Sequence, residues 1–373
     1  MKNWALYRLA LQFLPRGGGV NETDLPPEAA GRVEAILKKH RCLGAVFCLF
    51  DFSGVGGALA FGVSHPTGER TGPDTVFRAA SVSKFVTALG AMKLKEQGRV
   101  DLDRDVGDYL PGSVMDAWRP TQKITLRMLL THTAGLRDSE GYNAGIARGA
   151  PLSAIFKDEA VHGVPGVWEY SNFGAGIAGA ALECACGTDF ETLMQETVFR
   201  PLGVTATYYP QKVKGDLADA VRILPPQPRP NYNAAERRAR PLPPAEVNPD
   251  KHYTLAHGAL CVSAPELARL GIAGMVPGFL SPESLREMRA PCASFGQRAD
   301  NLSQGIGTFI LKDRRLGLER VFYGHQGMAY GAVHGLFFHP ETGRGISLLT
   351  TGASEARQGV LADLNFDLLK QFL

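Results

Sequence analysis

The chain has 373 residues, 45% of them hydrophobic and 21% charged, with a formal net charge of +3. That is the makeup of a soluble globular protein, long enough for a full core in one large or two interleaved domains. The small net charge, with no basic stripe interleaved with aromatics, argues against a nucleic-acid binder. Six cysteines (Cys42, Cys48, Cys184, Cys186, Cys261 and Cys292) contain no Cys-x-x-Cys pair, so they read as small, buried, reduced hydrophobes rather than a metal or disulfide framework.

Residues 1–14 are apolar but interrupted by Arg8 and Gln12, with no small-residue cleavage site behind them. They make a poor signal peptide and are far too short to span a bilayer. A short helix packed on the body is expected, with contact to a membrane surface the lesser alternative, then a glycine linker at 16–19. A cytoplasmic location follows from that reading. Residues 26–40 have the period of an amphipathic helix, with Val33, Ile36 and Leu37 on one face. Residues 45–51 and 58–62 read as a β-hairpin around Gly54, Gly56 and Gly57. A helix follows from Ser81, with Phe85, Leu89 and Met92 at helical spacing and Gly98 as its stop.

From about 102 to 207 the signals are mostly helices and loops. Prolines crowd residues 222–251 together with Arg237, Arg238 and Arg240, which predicts one long extended loop. Its arginines read as solvated surface, or as collectors of an anionic substrate at a cleft. Three strand-like runs (320–323, 332–338 and 345–350) precede a terminal helix over 356–372. Strands at both chain ends with a helical insert imply an α+β fold in which both ends build one sheet. The expected division is an N-terminal segment (1–24), an α/β lobe (25–98 plus 252–373) and a mostly helical lobe (99–251), with the active site between the lobes.

Three short motifs carry the chemistry. Ser81-Val-Ser-Lys84 is the only serine with a lysine three residues on, and that spacing puts the hydroxyl and amine on one helix face. A helix N-terminus also favours developing negative charge. Tyr170-Ser-Asn172 is the only Tyr-x-Asn, and His325-Gln-Gly327 the only His-x-Gly. With these in order the chain resembles the serine β-lactamase and penicillin-binding-protein superfamily, in its class C-like branch, over roughly residues 25–373. Phe77-Arg-Ala-Ala-Ser81, Leu129-Leu-Thr-His-Thr-Ala-Gly-Leu136, Pro165-Gly166 and Cys261-Val-Ser-Ala-Pro-Glu-Leu-Ala-Arg269 add to the likeness.

The resemblance implies an antiparallel sheet flanked by helices, an acyl-enzyme on Ser81, and no metal or organic cofactor. A serine hydroxyl needs a base, and free lysine is neutral only about 0.04% of the time at pH 7. Bringing its pKa to neutrality costs roughly 4 to 5 kcal/mol, which burial and neighbouring positive charge can supply. By resemblance Tyr170 shares the task, so either Lys84 or Tyr170 is the general base. Asn172 would donate to the substrate carbonyl, with a helix cap as its bland alternative. Gly327 would let its strand approach the substrate, and the N–H groups of Ser81 and Met328 would form the oxyanion hole. His325 stands where a lysine commonly binds a substrate carboxylate. It either supplies partial positive charge or acts as a neutral hydrogen-bond partner.

Competing signals are weaker. Asp101-x-Asp103-x-Asp105 has Val106 where a calcium loop needs glycine and Gly112 where it needs glutamate, so it reads as a solvated turn. Gly-x-Ser-x-Gly is missing from the sequence, which excludes the α/β-hydrolase route. His132 reads as a hydrogen-bonded structural histidine. The expected substrate is a small ester or a D-amino-acid peptide or amide, with weak β-lactam hydrolysis as a side reaction. A cell-wall D-Ala-D-Ala carboxypeptidase, an acyltransferase and a non-catalytic binding relative remain as alternatives.

Overall fold

The computed structural model describes residues 4–11, 18–118, 120, 122–223, 229–295, 302–313, 316 and 320–373. Parts of the expected N-terminal helix (1–3 and 12–14), glycine linker (16 and 17) and proline-rich loop (224–228) lie outside the described residues.

Among the described residues nine strands form one antiparallel sheet: β1 Val20–Thr23, β2 Gly44–Asp51, β3 Gly54–Gly62, β4 Ala293–Ser294, β5 Leu302–Gln304, β6 Phe309–Leu311, β7 Phe322–Ala329, β8 Ala332–His339 and β9 Arg344–Thr351. Their spatial order is β1-β3-β2-β9-β8-β7-β6-β5-β4. The pairing of β2 with β9, from Gly44 opposite Thr351 to Asp51 opposite Arg344, joins the two ends of the chain. This is the α+β sheet expected of the sequence.

Both faces of the sheet are covered, and period-two alternation decides which residue faces which helix. Val46, Cys48, Phe50, Ala58 and Ala60 join one core with the Ser83–Glu96 and Ala264–Met275 helices. Ala45, Phe47, Leu59 and Phe61 join the opposite core with the Pro27–Lys39 and Asp363–Phe372 helices. The first core continues through the Ser83–Glu96 helix into the helical insert, reaching Leu129, Phe173 and Leu182. The Ser83–Glu96 helix is therefore buried nearly all round rather than along one stripe.

Several expected elements are corrected. The proline-rich segment is not one extended loop: Ala220–Arg222 pairs with Arg229–Tyr232, and helices follow at Ala234–Arg238 and Pro249–His252. Buried Asp219 accepts from the Ala234 N–H at 2.7 Å and anchors that start. The strand expected at 320–323 extends to Ala329, because ladder pairing with β8 overrides the glycines and polar residues of 324–327. The terminal helix begins only at Asp363, after a short hairpin of Arg357–Gln358 with Leu361–Ala362. Of the cysteines, Cys42, Cys48 and Cys261 are buried, Cys184 and Cys186 half-buried, and Cys292 exposed at a sheet edge. The N-terminal helix, Trp4–Leu11, docks through buried Leu11 and an Arg8–Asp363 ion pair at 2.8 Å. Among the described residues no helix is long and apolar enough to cross a membrane.

Candidate active site

Two helix N-termini and one strand converge on Ser81. The hydroxyl sits in a 3₁₀ turn, Ala80–Val82, that runs directly into the Ser83–Glu96 helix. Ala80 holds φ +48°, a left-handed conformation that disfavours any side chain by about 1 kcal/mol or more. Ser83 fixes this turn: its hydroxyl donates to the Ala80 carbonyl at 2.6 Å and accepts from the Leu260 N–H at 3.2 Å. Of the two serines in the motif, Ser83 is thus committed to structure. Ser81 is half-exposed and faces two cavities.

Lys84, only 2% exposed, directs its amine at three oxygens. Ser81 Oγ lies at 3.1 Å, Asn172 Oδ1 at 2.7 Å and the His257 carbonyl at 2.7 Å. Burial brings the Lys84 pKa down to about 7; Arg78 pushes in the same direction, and the Asp138 carboxylate opposes both. The lysine is therefore poised at neutrality.

Asn172 opens the Asn172–Cys186 helix, but the cap is Ser171, whose hydroxyl accepts from the Gly174 N–H at 2.8 Å. The bland reading of Asn172 as a cap is corrected. Its amide nitrogen donates to Asp138 Oδ2 at 2.7 Å, which turns its oxygen toward Lys84. Tyr170 lies beside Ser81, with the Lys84 amine 5.0 Å from its ring centroid. Burial raises the Tyr170 pKa, and the neighbouring Ser81 hydroxyl offsets that only partly. His132 accepts from the Ser171 N–H at 3.2 Å and packs its ring 4.5 Å from Tyr170, a structural support.

His325 is fully buried. Burial and the nearby Lys84 charge drive its pKa down to about 3, so the ring is neutral at physiological pH. Nδ1 lies 2.6 Å from the Gln326 carbonyl, which only accepts, so Nδ1 carries the proton and Nε2 is a bare acceptor. That Nε2 has no partner among the described residues. The ring stacks on Phe309 at 4.2 Å and stands 6.5 Å from the Tyr170 ring.

Gly327 serves a close approach, though to the nucleophile's own turn. A Cβ there would lie 2.4 Å from the Ala79 carbonyl oxygen and 3.2 Å from the Ser81 nitrogen. Only glycine lets β7 lie this near the Ser81 backbone. Met328 follows it and lines both cavities with Ser81.

Three groups in the site were not foreseen. Asp138 and His257 sit in stretches with no local motif, and they reach Lys84 and Asn172 only through tertiary folding. Arg78 stands within the Phe-Arg-Ala-Ala-Ser motif, yet nothing in the spacing assigns it a task. The Asp101–Asp105 stretch is a turn: Asp101 accepts from the Asp103 N–H at 2.9 Å, and Asp103 pairs with Arg127 through two contacts of 2.7 Å. Among the described residues no group of three or more His, Cys, Asp or Glu could hold a metal ion.

The fold thus brings Ser81, Lys84 and Tyr170 together at one site. The Beta-lactamase family model matches residues 29–370. The chain is 25% identical to penicillin-binding protein 4 of Amycolatopsis lactamdurans, covering 92% of this chain and 88% of that protein. It is 27% identical to esterase EstB of Burkholderia gladioli, over 89% and 93% of the two chains. A D-stereospecific amidohydrolase from Streptomyces superposes with a TM-score of 0.67 at 22% identity, covering 88% of this chain and 96% of that one. The chain belongs to the β-lactamase family of serine hydrolases.

Proposed function

We propose that this protein hydrolyses small esters or amides through an acyl-enzyme on Ser81, with Lys84 as the base in the free enzyme. The observation that carries this is the environment of the Lys84 amine. Its two shorter contacts go to the Asn172 and His257 oxygens, which only accept, so they hold two N–H bonds of a neutral amine. The lone pair then points along the longer contact to Ser81 Oγ and takes its proton as the hydroxyl attacks. With a pKa of about 7 the amine is about half neutral at pH 7.

Tyr170, its pKa raised by burial, stays a neutral phenol and relays a proton between Lys84 and the leaving group. The bare Nε2 of His325 can receive the Tyr170 hydroxyl hydrogen bond or one from substrate. The N–H groups of Ser81 and Met328 stabilise the tetrahedral oxyanion, and Asn172 holds the acyl side. Likeness to an esterase and to a D-stereospecific amidohydrolase supports both bond types.

The test is covalent labelling. A fluorophosphonate should add one adduct on the peptide containing Ser81, and Ser81→Ala should abolish it while retaining the fold. Intact-protein mass spectrometry decides, and an adduct that persists in Ser81→Ala overturns the assignment.

A further inference from the structure

Two cavities of opposite character open on Ser81. Both are lined by Ser81, Asn172 and Met328. The smaller, about 380 Å³, continues along Trp168, Phe295, Phe309 and Val360. Trp168 and Phe295 pack at 3.9 Å between ring centroids, and Phe309 meets Phe295 edge-on at 5.4 Å. The larger, about 600 Å³, is lined by Arg78, Arg237 and Arg240, with Asn143, Tyr232 and Tyr330, and by no aspartate or glutamate.

Arg78 and Arg237 are built in, whereas Arg240 is exposed at the rim. Arg78 lies 5.9 Å from the Tyr232 ring centroid and 5.3 Å from that of Tyr330, and Arg237 lies 5.3 Å from Tyr232. Tyr232 is buried and stacks with Tyr330 at 6.4 Å. Such stacking holds a guanidinium plane while leaving its N–H edge free to donate. Among the described residues neither the Arg78 nor the Arg237 guanidinium has a hydrogen-bond or ion-pair partner, whereas that of Arg240 pairs with Glu236 at 2.9 Å. Two half-buried, unneutralised guanidinium groups in a cavity without acids make a carboxylate subsite.

Resting on the hydrolase reading, we propose that the substrate is an ester or amide carrying a carboxylate on one side of the scissile bond and an apolar or aryl group on the other. The carboxylate lies against Arg78 and Arg237, and the apolar group lies among Trp168, Phe295 and Phe309. Specificity thus comes from the segment 229–240, which supplies Tyr232, Arg237 and Arg240.

Matched chromogenic esters test this. One pair is 4-nitrophenyl butyrate and the 4-nitrophenyl monoester of glutaric acid, with the charge on the acyl side. The other is the phenylacetyl ester of phenol and that of 3-hydroxybenzoate, with the charge on the leaving side. The quantity read is the anionic-to-neutral ratio of kcat/KM within each variant, which cancels losses of folded protein. In the wild type at least one pair should favour the anion by on the order of tenfold. Arg237→Gln/Arg240→Gln should bring that ratio toward one, and Arg237→Lys/Arg240→Lys should keep most of it. Arg78 is left in place because its charge also acts on Lys84. Absence of an anion preference in both pairs overturns the proposal. So does a preference that survives Arg237→Gln/Arg240→Gln and vanishes in Arg357→Gln, since Arg357 lines the aromatic cavity instead. Either result would leave neutral-ester turnover and Ser81 labelling intact, whereas failure of the hydrolase reading would abolish both.

Discussion

Asp138 holds Asn172 by a 2.7 Å hydrogen bond from the amide nitrogen, and so decides which end of the Asn172 amide faces Lys84. The same carboxylate works against burial to keep the Lys84 pKa from falling further. One half-buried carboxylate thus sets both the orientation of the Asn172 amide and the charge state of Lys84.

Asp138→Asn keeps a side-chain oxygen for the Asn172 amide and removes the charge. Asp138 raises the Lys84 pKa, so its loss lowers that pKa and makes the neutral amine available at lower pH. The rising acidic limb of kcat/KM for a neutral ester, centred near pH 7 in the wild type, should move to lower pH. Asp138→Ala should in addition lower the plateau by about 10²-fold, because the amide loses its orientation. A limb that stays in place would show that the titrating group does not face Asp138. The measurement is kcat/KM across pH 5 to 9.

Lys84→Ala and Tyr170→Phe should each lower kcat by a factor on the order of 10² or more. In the proposed relay both act on the same proton, so the double variant should be little worse than the poorer single. Losses that multiply fully would mean that the two residues do not share a relay.

Gly327→Ala drives a methyl against the Ala79 carbonyl oxygen and pushes β7 away from the Ser81 turn. Overpacking of this kind costs about 1 to 3 kcal/mol, so a lower melting temperature is expected. The larger effect should be on catalysis, with kcat reduced on the order of 10²-fold as the Met328 N–H leaves its proposed oxyanion position. A variant that loses stability but retains full kcat would remove Met328 from the oxyanion hole.

The sheet from both chain ends and the Ser81, Lys84, Tyr170 and Asn172 cluster were legible because each rests on a local pattern. Strand-like apolar runs announced β2, β8 and β9, and three short motifs marked the site. Strand β7 was under-read because the glycines and polar residues of 324–327 interrupt the apolar run; its strand character comes from pairing with β8 on one side and β6 on the other. The 229–240 elements were masked by proline content, which signals turns but says nothing of Tyr232 packing inward. Asp138 and His257 were illegible for another reason. Their distance in sequence from Lys84 and Asn172 leaves no periodicity to detect, and only the folded chain brings them to the amine.

Burial favours the neutral-ring alternative for His325. A positively charged imidazole would have to sit among Phe309, Phe295 and Trp168 and near Lys84, and with a pKa of about 3 it does not. Only the protonated ring attracts a carboxylate, and that form is negligible above pH 5. KM for an anionic ester should therefore follow the same pH profile as for its neutral match from pH 5.5 to 9, because arginines keep their charge throughout that window. His325→Gln should lower kcat for both esters alike, since the unpartnered Nε2 acceptor of the neutral ring is lost. His325→Lys should also harm both, with a lower melting temperature, because it places an ammonium among the same aromatic rings. Selective improvement of the anionic ester in His325→Lys, or a KM for that ester alone that climbs with pH near neutrality, would instead give the imidazole a carboxylate to bind. Steady-state kinetics of the two esters on the three proteins separate these outcomes.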